Sequence, residues 1–124
     1  MDNYIQVIST VDNEDTAKRI AGRLLEERAV ACVQILGPVT SFFWWKGEIQ
    51  ESREWVCLAK GKKEDYDKIE ATIKSTHPYD IPEILAIPVL SGNTAYLSWI
   101  SAETTANTRP QRTLRDAKPA TKMI

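Results

Sequence analysis

The sequence predicts an α+β fold built on one antiparallel sheet, and three observations predict it. Short β-rich runs alternate with amphipathic helical stripes in the order strand, helix, strand, strand, helix, strand. The two middle strands are joined by a two-residue turn, Lys46-Gly47, so they form a hairpin. The chain has 124 residues, 43% hydrophobic and 27% charged, which is the size and balance of a single globular domain.

The elements follow in chain order. Tyr4 to Thr10 is a β-rich run. Asp12 then precedes Asn13-Glu14-Asp15, an N-cap position followed by acids where the helix dipole favours them. Ala17, Ile20, Ala21, Leu24 and Leu25 recur on one face of the helix that follows. Ala31 to Leu36 reads as a second strand, interrupted by Gly37-Pro38 as a bend or bulge would interrupt it. Val39 to Trp45 opens a third segment, and Ile49 to Lys60 returns beside it. Glu64 to Thr76 is helical, with Tyr66, Ile69 and Ile73 on one side, and His77-Pro78 ends it. Glu83 to Val89 is the last strand. Asn93 caps a short final helix carrying Tyr96, Leu97, Trp99 and Ile100. This is the β-α-β-β-α-β order of the ferredoxin-like sandwich, with a long central hairpin and a short C-terminal helix.

That arrangement leaves one sheet face without helices, and its strands are apolar on both sides. Trp55, Cys57 and Ala59 point one way while Val56 and Leu58 point the other, and Ile84 to Ile87 is apolar throughout. A bare face of this kind exceeds what a soluble monomer normally exposes. Length argues the same way. Extended, residues 31–45 span roughly 50 Å at about 3.3 Å per residue, whereas a body of this size is only roughly 33 Å across. The hairpin tip, with Phe42, Phe43, Trp44 and Trp45, should therefore overhang its own core. Self-association into an oligomer is the strongest physical expectation. The blander alternative packs two of the four aromatics back and leaves two in water.

Charge divides the chain. Residues 1–102 carry 11 bases and 15 acids, and residues 103–124 carry 5 bases and 2 acids. We read 1–102 as the folded domain and 103–124 as a polar, mildly basic, flexible tail broken up by Thr104, Thr105, Asn107, Thr108, Pro110 and Pro119. An arm packed on a neighbouring subunit is the alternative for the tail. The net charge of -1 argues against nucleic acid, and no apolar run is long enough for a membrane span. The acidic start, Met1-Asp2-Asn3-Tyr4, and two cysteines read as reduced core thiols point to the cytoplasm.

Several stretches are familiar together: Asp12 to Ala17 with Ala21, Arg28 to Val33, Val39-Thr40-Ser41 leading to Trp45-Lys46-Gly47, His77-Pro78-Tyr79-Asp80-Ile81-Pro82-Glu83-Ile84, Gly92-Asn93, and Tyr96-Leu97-Ser98-Trp99. In this order, over about residues 5 to 101, they resemble the CutA family of divalent-cation tolerance proteins. The resemblance implies a ferredoxin-like fold assembled as a homotrimer, with the hairpin reaching to the next subunit. It also implies a role in tolerance to copper or another divalent cation. Copper-binding members carry a Cys at the end of the first strand and a His-His pair before the Pro-Tyr. This chain has Ser9 and Thr76-His77 there, so only His77 carries over as a metal candidate.

His77 also closes a helix, where an imidazole can bond free carbonyls, so a structural role competes with metal binding. Cys32 and Cys57 read as buried thiols. The loop with His77, Tyr79, Asp80 and Glu83 is dense in polar groups and stiffened by Pro78 and Pro82. With Trp45, Lys60 and Trp99 it makes a candidate ligand pocket between subunits, for a divalent metal or a small ligand; the competing reading leaves Asp80 and Glu83 as surface pairs. No nucleophile–base pair, P-loop, zincin or dinucleotide motif is present, so neither an enzyme nor an organic cofactor is expected. The functional expectation is a non-enzymatic homotrimer of divalent-metal response. The alternatives are a trimeric small-molecule sensor similar to the PII signalling proteins, or an interaction scaffold using residues 103–124.

Overall fold

Backbone pairing in the computed structural model, which describes residues 3–105 and 113–121, links four strands into one sheet. They are β1 (Tyr4–Val11), β2 (Cys32–Trp45), β3 (Glu48–Lys62) and β4 (Ile84–Pro88), in the antiparallel order β2-β3-β1-β4. Helices α1 (Glu14–Glu26) and α2 (Tyr66–Thr76) connect the strands, and α3 (Thr94–Glu103) follows β4. The α+β class and the strand–helix order expected from the sequence are both present.

Period-two burial in β1 shows which face holds the core. Ile5, Val7, Ser9 and Val11 are buried while Tyr4, Gln6, Ile8 and Thr10 are less so. Ile5 and Val7 pack with Ile20 and Leu24 of α1, Ile69 and Ile73 of α2, and Ala59 of β3. Both long helices therefore cover one face. The short α3 crosses the other: the Tyr4 hydroxyl, on that side, shares a 2.5 Å hydrogen bond with Ser101 Oγ.

Local chemistry adjusts the boundaries. The cap of α1 is Asn13 rather than Asp12, because the Asn13 side-chain oxygen accepts the Thr16 N–H at 3.0 Å. The helix ends in a paired closure. Ala29 N–H bonds Leu24 O, Arg28 N–H bonds Leu25 O, and Arg28 takes the left-handed φ of 54° that such a closure requires. The guanidinium of Arg28 bonds Glu103 on α3 at 3.1 Å. Entry into α2 is a 3₁₀ turn at Lys63–Asp65.

The two segments expected on either side of Gly37-Pro38 form one continuous strand, β2. The register slips between Leu36 and Val39, and the Gly37–Pro38 peptide is cis. Gly37 is required by packing, since a Cβ there would lie 2.5 Å from the Trp55 indole. Among the described residues, Val39–Trp45 beyond the bulge pairs only with Glu48–Glu54, while β1 ends opposite Trp55. Seven paired residues, roughly 23 Å of two-stranded ribbon at about 3.3 Å each, thus leave the sheet unsupported by a third strand. Lys46 and Gly47 close it with φ of 51° and 81°, the left-handed pair that suits a tight hairpin.

Within the tail, Thr113 caps a 3₁₀ turn at Leu114–Asp116, and Asp116 bonds back to the Thr113 N–H. The Leu114 side chain lies against Gly22 of α1. The expectation of a flexible tail also takes in residues 106–112 and 122–124, Asn107, Thr108 and Pro110 among them; these lie outside the described residues.

Candidate functional site

The loop between α2 and β4 is fixed at its first residue. His77 closes α2 through its backbone N–H, bonded to Ile73 O at 2.9 Å. Its ring then turns to the sheet. Nε2 lies 2.6 Å from the Thr10 carbonyl, which can only accept, and Nδ1 lies 3.2 Å from the Tyr79 N–H, which can only donate. The two partners define one tautomer, with the proton on Nε2, and leave neither ring nitrogen free. The Tyr79 ring packs edge-on to the imidazole, 4.6 Å between centroids.

Tyr79 continues the anchoring. Its hydroxyl donates to Glu54 Oε2 at 2.8 Å. Glu54 is only 6% exposed, at the point where the ribbon leaves the sheet. Burial, and then the Glu54 carboxylate, push the Tyr79 phenol well above its usual range, so it stays a donor.

Between this loop and the ribbon lies a cleft of about 1000 Å³. Ser41, Phe42, Phe43, Trp44, Trp45 and Gln50 line it from the ribbon; Thr10 and Glu54 lie at its base, and Pro78, Tyr79, Asp80, Ile81 and Glu83 line it from the loop. The lining carries three carboxylates and no Lys, Arg or His. Of the residues expected in a pocket, Trp45, Tyr79, Asp80 and Glu83 come together here. Two do not join them within one protomer. Lys60 sits farther along β3, opposite Cys32, with its ammonium hydrogen-bonded to Gln34. Trp99 is on α3, its ring 5.4 Å from that of Tyr96. Glu54 is the member that sequence reasoning passed over. Its signal was parity: it shares a strand face with Val56 and Leu58, and an acid in that slot needs a partner.

The donor supply for a soft metal is poor within the protomer. Among the described residues, no three of His, Cys, Asp and Glu converge as a metal site. Cys57 is buried, and burial raises its thiol to about 11, which keeps it protonated. Ser9 is 1% exposed, and its hydroxyl has no hydrogen-bond partner among the described residues. His77 would have to release Thr10 or Tyr79 to offer a nitrogen. These residues do not make a copper site as they stand.

Comparison with known proteins decides the family. The model of the CutA1 divalent ion tolerance proteins matches residues 5–103. The chain belongs to the CutA1 divalent ion tolerance protein family. A divalent-cation tolerance protein CutA of Thermus thermophilus is 41% identical over 98 residues, which are 79% of this chain and 95% of that protein. The crystal structure of CutA1 from Oryza sativa superposes with a TM-score of 0.82 at 34% identity, covering 86% of this chain and 97% of that one. The structure described as the periplasmic divalent cation tolerance protein CutA from Archaeoglobus fulgidus gives 0.78 at 37% identity, covering 85% and 100%. The CutA1 match ends at Glu103, so the Leu114 contact on α1 falls outside the family's common part. No described helix is long and apolar enough to cross a membrane.

Proposed function

We propose that this CutA1-family chain acts in divalent-cation tolerance as a homotrimer, by binding rather than by catalysis. One observation carries the assembly: a ribbon with no third strand behind it among the described residues exposes Phe42 at 68%, Trp44 at 71% and Ile49 at 64%. Leu36, Leu85 and Ile87 add exposed apolar surface to the sheet. Burying one such side chain is worth about 1.5–3 kcal/mol, so the group together favours a neighbour over water. Family membership supports the tolerance role. The free thiols of Cys32 and Cys57 support a reducing compartment, and we place the protein in the cytoplasm; fractionation of cells tests that.

The assembly is tested by light scattering of the full chain and of Trp44→Ser. The parent is expected at three times the 14.0 kDa chain mass, and the variant at a lower mass. A parent that scatters as a single chain sinks the proposal. Copper is tested separately, by titrating Cu(II) into the parent and into His77→Ala; identical isotherms remove His77 from any site. A second reading, a small-molecule regulator similar to the PII proteins, is favoured by the cleft's volume and aromatic lining. It predicts a metabolite that raises the melting temperature in a ligand panel.

A further inference from the structure

Gly22 is buried on the side of α1 that should face water. At about 3.6 residues per turn it lies roughly 150° round the helix from the centre of the core stripe Ala17, Ile20, Ala21 and Leu24. Lys18 and Arg19, one turn earlier, are exposed, whereas Gly22 is buried. The cover comes from the tail: Leu114 Cγ and Cδ1 stand 3.3 Å from where a Gly22 Cβ would be. Glycine is a poor helix former, and here its missing side chain leaves a notch that an apolar side chain enters.

The entering piece is preformed. Thr113 Oγ1 accepts the Arg115 N–H at 3.2 Å, and Asp116 Oδ2 accepts the Thr113 N–H at 3.0 Å, so the turn that carries Leu114 is held by its own side chains. Such a turn loses little freedom on docking. Its route is short. Arg28, at the end of α1, bonds Glu103, at the end of α3, at 3.1 Å. Gly22 stands six residues before Arg28, roughly 9 Å along the axis at about 1.5 Å per residue. The stretch from Thr105 to Leu114 reaches about 30 Å when extended, ample for the chain's own α1. A short tether keeps the tail concentrated beside the notch.

We propose that residues 113–116 form a releasable strap, in which Leu114 seats in the Gly22 notch of the same protomer's α1 and fastens the C-terminal segment across the helix layer. Leu114 keeps 41% of its surface exposed, so the contact opens and closes without disturbing the core. The tail is then neither a free arm nor an arm on a neighbouring copy. Leu85 and Ile87 pair with Ile8 and Gln6 on the other face of the sheet, so the strap leaves that apolar surface uncovered. It stands apart from the cation and assembly readings above.

The test is trypsin cleavage of the full-length protein after Arg115, followed by mass spectrometry beside a free peptide of residues 109–121. Cleavage of a docked turn tracks the open population, so the parent is expected to be cut about tenfold or more slower than the peptide. Leu114→Ser and Gly22→Gln should each restore cutting at nearly the peptide's rate. Glutamine is the better helix former, so the urea midpoint of Gly22→Gln should not fall; faster cutting at an undiminished midpoint separates release of the strap from loosening of the body. The two variants are then unfolded and refolded together. Docking within one protomer leaves both tails fast to cut, whereas docking between copies restores protection to the intact tail of Gly22→Gln on the intact notch of Leu114→Ser. Any of three results overturns the proposal: a parent cut as fast as the peptide, either variant as slow as the parent, or protection regained in the mixture.

Discussion

The Tyr79 hydroxyl donates to Glu54 Oε2 at 2.8 Å, which ties the loop after α2 to the base of the overhanging ribbon across 25 residues of sequence. This bond and the His77–Thr10 contact hold the loop that lines one side of the cleft.

Tyr79→Phe removes the donor and leaves a 6% exposed carboxylate without it. The expected loss is about 1–3 kcal/mol of stability, because the cost is that of an unpaired buried group rather than of one average bond. Glu54→Gln keeps an acceptor for the phenol and should lose less. Urea midpoints of the two variants and the double variant, at one protein concentration, give the coupling; additive losses would show that the bond contributes nothing.

Gly37→Ala puts a methyl group 2.5 Å from Trp55 Cδ1 and 2.8 Å from Cγ. The indole or the bulge must shift, with an expected loss of about 1–3 kcal/mol and a changed near-ultraviolet dichroism. Gly92→Ala meets nothing nearer than Leu97 at 3.4 Å and serves as the control, with a midpoint within about 0.5 kcal/mol of the parent. Equal behaviour of the two would contradict the packing at the bulge.

Ser9→Ala should stabilise the fold, by about 1 kcal/mol, since the hydroxyl it removes is buried and has no partner among the described residues. A lower urea midpoint in this variant would mean that the hydroxyl does have a bond worth keeping.

Stability should fall at alkaline pH. Burial raises the Cys57 thiol from 9.0 to about 11, so the folded chain holds a proton that the unfolded chain releases. The sign follows: the contribution is complete below pH about 9 and disappears as pH rises towards about 11. Tyr79, also raised, acts in the same direction at higher pH still. Denaturation midpoints for the parent and Cys57→Ala between pH 8 and 11 check this, and the variant should show the shallower decline. At pH 8 a thiol reagent should modify the partly exposed Cys32 well before Cys57; equal rates would contradict the burial.

Much of this was legible along the chain because it depends on near neighbours. The stripe of Ala17, Ile20, Ala21 and Leu24 specifies α1 whatever it packs on, and all four are buried. Val56 and Leu58 opposite Cys57 announce a sheet with two apolar faces, and the four aromatics before Lys46-Gly47 announce an overhang. Chain length against body size was enough to expect that the hairpin tip overhangs its own core. The loop residues Tyr79, Asp80 and Glu83 could be chosen for the same reason, since a proline-stiffened polar segment between apolar elements has few other uses.

What the sequence determined by itself was therefore the set of elements, their order and the excess of apolar surface, all properties carried by the short repeat of strand and helix. Tertiary structure alone decided that Glu54 meets Tyr79, that His77 gives both its nitrogens to the backbone, and that Lys60 and Trp99 lie away from Trp45. The Tyr79–Glu54 and His77–Thr10 contacts join residues 25 and 67 positions apart, and no local period encodes such a distance. They follow from the register of β1 on β3 and from a loop that turns back over the sheet edge, which only the packed chain fixes.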